Sequence, residues 1–128
     1  MCQLFVEAES EQWLSRTKSL RIEGVVTSIR LENFFWDVLA EIAFRDDMSV
    51  NQLITKLYFE SREAELDLSN FTSFLRVCCS RYLSLVADGE LTRCEKTPMK
   101  KDNIDILLSQ ENQRTLARRR FFTREPSV

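Results

Sequence analysis

Polar and apolar residues alternate along Val25-Val26-Thr27-Ser28-Ile29-Arg30-Leu31. Successive strand side chains point to opposite faces, so Thr27, Ile29 and Leu31 share one face and Val26, Ser28 and Arg30 the other. The period then changes. Phe35, Trp36, Leu39, Ile42 and Ala43 recur at helical spacing, which predicts a helix starting near Glu32-Asn33 and ending near Asp46-Asp47. Ser49 is a good N-cap for a second helix carrying Val50, Leu53, Ile54, Leu57 and Tyr58 on one face. The connection spans only about four residues, so the two helices must pack as neighbours. A third helix is predicted from a cap at Ser69 or Asn70 through Phe71, Phe74, Leu75, Cys78, Tyr82 and Leu85, stopping before Asp88-Gly89. Residues 61–67, rich in acids, read as a solvated helix end or loop.

A strand this short leaves backbone N–H and C=O groups unpaired unless it finds a partner. No second long strand is evident, so the pattern predicts antiparallel pairing with the same strand of a second copy. Ser19-Leu20-Arg21-Ile22 alternates as well, and Glu23-Gly24 suits a two-residue hairpin turn. Such a hairpin would set Ile22 opposite Val25, Arg21 opposite Val26 and Leu20 opposite Thr27. Two hairpins in a dimer make four strands about 4.8 Å apart. The outer strands would carry Arg16, Lys18 and Arg21.

Residues 17–83 resemble the ribbon-helix-helix (Arc/MetJ-type) superfamily, and more narrowly small bacterial members with an extra helix. The resemblance rests on Thr27-Ser28-Ile29-Arg30-Leu31-Glu32, Phe35-Trp36 with Leu39 and Ile42-Ala43, Met48-Ser49-Val50-Asn51-Gln52-Leu53, and Asn70-Phe71 with Phe74-Leu75-Arg76. It implies a mainly α fold with a short β-ribbon, ribbon-helix-helix plus a third helix, as an intertwined homodimer. It also implies a sequence-specific DNA-binding transcriptional regulator, a repressor, acting on double-stranded DNA. Val26, Ser28 and Arg30 would read bases. Ser49, Val50 and Asn51, at a helix start with free N–H groups and a positive dipole end, would hold phosphate along with Lys18 and Arg21. A major groove about 12 Å wide admits two strands, so Arg16, Lys18 and Arg21 on outer strands are expected to contact backbone phosphates rather than bases. Ile29, Leu31, Trp36, Leu39 and Leu53 would form the dimer core. Val26 stands where a polar or basic reader is usual, and Met48 where many members have Gly.

Composition narrows the alternatives. The chain of 128 residues has room for one domain, expected over 17–88, after a leader at 1–16 and before a polar, basic tail at 89–128. The tail breaks at Thr97-Pro98. Residues 103–116 are expected to form a weakly amphipathic helix around Ile104, Leu107 and Leu108, followed by Arg118-Arg119-Arg120-Phe121-Phe122. That basic, aromatic run suits a nucleic-acid or membrane surface, and equally a frayed terminus. No apolar run reaches membrane length and no signal peptide is evident, so a cytoplasmic location is expected. Cys2, Cys78, Cys79 and Cys94 lack metal or redox spacing. The absence of His removes the commonest general base and metal ligand, and two glycines cannot build a phosphate-cradling loop. Neither an enzyme nor a cofactor is expected. Net charge is −2, distributed as 0 over residues 1–31, −5 over 32–88 and +3 over 89–128. Acidic helices and Val26 leave a second class open, a non-catalytic interaction or oligomerisation module on the same fold.

Overall fold

The computed structural model describes residues 1–93 and 101–123; the Thr97-Pro98 break and Cys94 lie outside them. Helix α1 (Cys2–Val6) and a 3-10 turn (Ser10–Trp13) precede strands β1 (Ser15–Ile22) and β2 (Val25–Glu32). Helices α2 (Asn33–Arg45), α3 (Val50–Glu63), α4 (Phe71–Ala87) and α5 (Lys101–Phe122) follow. The strands form one antiparallel two-stranded sheet with Ile22 opposite Val25, Arg21 opposite Val26 and Leu20 opposite Thr27. Glu23 and Gly24 both take positive φ, 52° and 79°, as the tight turn matching the right-handed strand twist requires. One expectation is corrected here. One edge of β2 is paired by β1 of the same chain, so the strand has a partner without a second copy, and its other edge stays open among the described residues.

One face of the hairpin packs on the helices. Leu20, Ile22, Ile29 and Leu31 are buried with Trp36, Val38, Leu39 and Ala43 of α2, Leu53 and Ile54 of α3, and Leu75, Cys79 and Tyr82 of α4. Trp36 pins helix to sheet: its indole N–H donates to the Arg16 carbonyl at 2.9 Å. The α4 stripe buries Leu75 and Tyr82 as expected, with Phe71 and Phe74 against the core, and differs at one position. Cys79 is fully buried and its thiol donates to the Phe35 carbonyl, while Cys78 is half-buried. Burial pushes the Cys79 thiol up to about 12, so it serves as a small apolar side chain.

Helix ends are closed by local chemistry. At the end of α2 the Met48 N–H returns to the Ala43 carbonyl and that of Asp47 to Phe44, a Schellman closure with Asp47 at φ 56°. The same pattern ends α4, with Gly89 at φ 79° and Glu90 N–H on the Leu85 carbonyl. Asn70 caps α4 by accepting from the Ser73 N–H. Beyond α4, Arg45 is buried and donates to the Thr92 carbonyl. Glu41 accepts from the Tyr82 hydroxyl and, at 2.7 Å, from Arg93. These contacts tie residues 92–93 to α2. The chain then enters α5, longer than the weak apolar stripe indicated, which ion pairs fasten to α4 and its end: Arg81–Glu111 and Arg114–Glu90 at 2.5 Å, and Arg118–Asp88.

Candidate nucleic-acid interface

The outward face of the hairpin is built by strand parity. Thr17, Ser19 and Arg21 of β1 lie opposite Arg30, Ser28 and Val26 of β2, and all six are exposed. The hydroxyls of Ser19 and Ser28 approach to 3.4 Å in the middle of this face. Arg21 sits beside Val26, supplying a cation and five donors next to the one apolar position among the expected readers. Thr17 and Ser19 are additions to the expected set, although the parity of Arg21 already places them there.

Parity also separates residues that charge alone groups together. Lys18 is three positions from Arg21 and so lies on the opposite face. It is half-buried, its ammonium 4.9 Å from the Trp36 ring centroid. Arg16 shares that parity and lines a shallow pocket with Glu9, Glu11 and Asp37. The structure does not bring Lys18 or Arg16 to the outward face.

The electrostatics of the ribbon are set from behind. Its two carboxylates are claimed by helix arginines: Glu23 by Arg62 at 2.5 and 2.6 Å, and Glu32 by Arg76 at 3.0 and 2.9 Å. Hydrogen bonds from Arg62 hold the Glu23 carboxyl below its usual range, and those from Arg76 do the same for Glu32. Arg21 and Arg30 have no carboxylate partner among the described residues. An outward face with two uncompensated guanidiniums and two hydroxyls can donate to phosphate oxygens or to acceptors on base edges.

The start of α3 carries a capping box. Ser49 accepts from the Gln52 N–H at 3.1 Å, and the Gln52 side chain accepts from the Ser49 N–H at 2.8 Å. The Leu53 N–H is already used by the Ser49 carbonyl. That leaves the Val50 and Asn51 N–H groups at the positive end of the helix dipole, a geometry suited to an anion. The Glu23–Arg62 pair places the far end of α3 beside the hairpin turn. At 1.5 Å per residue Ser49 then lies about 20 Å from that turn. Within the chain Ser49, Val50 and Asn51 are thus a separate patch from the Arg21–Val26 end of the ribbon. Ile29, Leu31, Trp36, Leu39 and Leu53, expected as a dimer core, are all buried within the single chain.

A two-stranded ribbon leading directly into paired helices defines a known class. The ribbon-helix-helix domain family matches residues 15–83, more than half of the chain, and the chain belongs to that family. Its members are in general DNA-binding transcription regulators. Among solved structures the chain is similar to an uncharacterized protein from Bordetella pertussis Tohama I. Identity is 44%, 81% of this chain and 86% of that one are covered, and the TM-score is 0.73. No curated protein matches the chain. No helix among the described residues is long and apolar enough to cross a membrane.

Proposed function

We propose that this protein is a sequence-specific DNA-binding transcriptional repressor that works as a homodimer and reads the major groove with its ribbon. The observation carrying this reading is the outward ribbon face: exposed Arg21 and Arg30 without carboxylate partners among the described residues, around Ser19 and Ser28, with both ribbon acids neutralised by Arg62 and Arg76. In an antiparallel ladder that starts from the Ile22–Val25 pair, the backbone groups of Val26, Ser28 and Arg30 point out along the free edge of β2. A second copy pairs there. Registers centred on Ser28 or Ile29 keep both faces matched and overlap most of the strand. The two β2 strands enter the groove, and Val26, Ser28 and Arg30 face the bases. The outer β1 strands ride over the groove walls, where Arg21 meets phosphate. The Val50 and Asn51 N–H groups, with Ser49 as their cap, grip phosphates farther along the backbone.

Selection on random duplexes, followed by fluorescence anisotropy on the selected and a scrambled duplex, tests the reading. Arg30→Ala should weaken the selected duplex by about 1–3 kcal/mol and relax base preference, because a bidentate base contact is lost. Arg21→Ala should weaken both duplexes alike and make the salt slope shallower by about one per protomer. A short bis-maleimide should join two copies of Cys2→Ser/Ser28→Cys and not of Cys2→Ser alone, since Cys2 is an exposed free thiol. Val25 and Val26 at the hairpin tip, 65% and 62% exposed, favour a second reading, a protein-interaction module. That reading replaces the first if the wild type prefers no duplex at low salt.

A further inference from the structure

We infer that the end of α5 is a second, sequence-blind nucleic-acid contact, made by Arg119 and Arg120 with the Phe121–Phe122 pair; this rests on the reading of the ribbon as a DNA reader. Of the arginines along α5, Arg114 and Arg118 are committed to Glu90 and Asp88. Arg119 and Arg120 are exposed and have no carboxylate partner among the described residues. Beside them Phe121 and Phe122 are 67% and 75% exposed, their rings edge to face with centroids 4.9 Å apart. Arginines in a last helical turn are favoured by the helix dipole, which explains the charge. It does not explain two exposed phenylalanines, which here contribute no core. Guanidiniums beside open aromatic faces are what a nucleic-acid strand uses: phosphate oxygens for the first, base or sugar faces for the second.

An anionic membrane offers the same charge but needs one continuous apolar helix face. At 100° per residue, Gln113 and Arg120 stand among Ile106, Leu116 and Phe121 on the outward side of α5, so no such face exists. The contact is also distinct from the ribbon's. The Arg76–Glu32 pair anchors α4 at the end of β2, and Asp88, which holds Arg118, lies twelve residues farther on, about 18 Å by helical rise. The phosphates met by Arg119 and Arg120 are therefore not those under β2. Two contacts on one chain raise affinity through effective concentration, without any new base reading.

The test is Arg119→Gln/Arg120→Gln in the full chain, read by anisotropy on selected and scrambled duplexes across salt, with circular dichroism confirming native helix. Both duplexes should weaken together at low salt, and the slope of log K against log salt should become shallower by about 1.8 per protomer. Between 50 and 200 mM salt the wild type should lose about tenfold more affinity than the variant for each protomer in contact, about a hundredfold for the dimer. Unchanged affinity and slope on the scrambled duplex overturn the inference. Wild-type binding to phosphatidylserine vesicles that is lost in the variant, with duplex binding intact, replaces it by a membrane contact. If the wild type shows no base preference, the ribbon reading fails alone, and the scrambled-duplex slope still decides the α5 contact.

Discussion

Trp36→Phe removes the pin between α2 and β1 while leaving the outward ribbon face untouched. The indole is 2% exposed and donates one hydrogen bond to the Arg16 carbonyl. Losing a neutral hydrogen bond of this kind costs about 1 kcal/mol. The smaller ring leaves a void of about 40 Å³, which at about 24 cal/mol per Å³ adds roughly 1 kcal/mol, and the lost apolar transfer adds somewhat more. The expected loss is about 2–3 kcal/mol, a drop of roughly 10 °C in melting temperature for a domain of this size. Urea unfolding followed by far-ultraviolet circular dichroism measures it, and amide exchange along β1 should quicken. Base preference should persist, because Val26, Ser28 and Arg30 keep their places. A loss below about 1 kcal/mol, with β1 exchange unchanged, would show that the hairpin is held by other contacts and refute the reasoning.

Ser49→Ala should cost about 1 kcal/mol by opening the capping box, and should weaken selected and scrambled duplexes alike. Glu32 and Glu41 have folded-state carboxyls below the ordinary range, through hydrogen bonds from Arg76 and Arg93. Their contribution is complete above the unfolded value near 4.5 and is lost as pH falls through the lowered values. The urea midpoint should therefore fall below about pH 4.5, and less steeply in Glu32→Gln/Glu41→Gln. Tyr82 moves the other way: burial first, then its bond to Glu41, pushes the phenol from 10.0 up to about 12. Its contribution is complete below pH 10.0 and lost as pH rises toward about 12, a limb that Tyr82→Phe should lack.

Much of this is legible in the chain because the periods are clean. The switch from period two to helical spacing at Asn33, the Ser49 and Asn70 caps and the Asp88-Gly89 stop all correspond to observed boundaries. The Glu23-Gly24 turn sets the strand register that is observed. The strand's partner is harder to read, because Ser15–Ile22 opens with polar residues and resembles a leader until Leu20 and Ile22 are seen to share a buried face. Charge groups Lys18 with Arg21, and charge says nothing about parity. Cys78 and Cys79 are adjacent and equally apolar, so only the packing against Phe35 selects Cys79. Helix α5 outruns its apolar stripe because carboxylates just beyond α4, Asp88 and Glu90, lie close enough to hold it. Such long-range pairs leave no local periodicity.

The two-residue turn at Glu23-Gly24 bears on the order in which the molecule assembles. Hairpins with such local contacts close in about 1–10 μs, far sooner than two dilute chains can meet. The ribbon is thus available before any encounter, and in the proposed homodimer association would be the docking of ready-made strand edges rather than the mutual folding of two chains. Helix and sheet signals should then recover at a rate independent of protein concentration. Only the later coupling of β2 to β2 should quicken as the solution is made more concentrated.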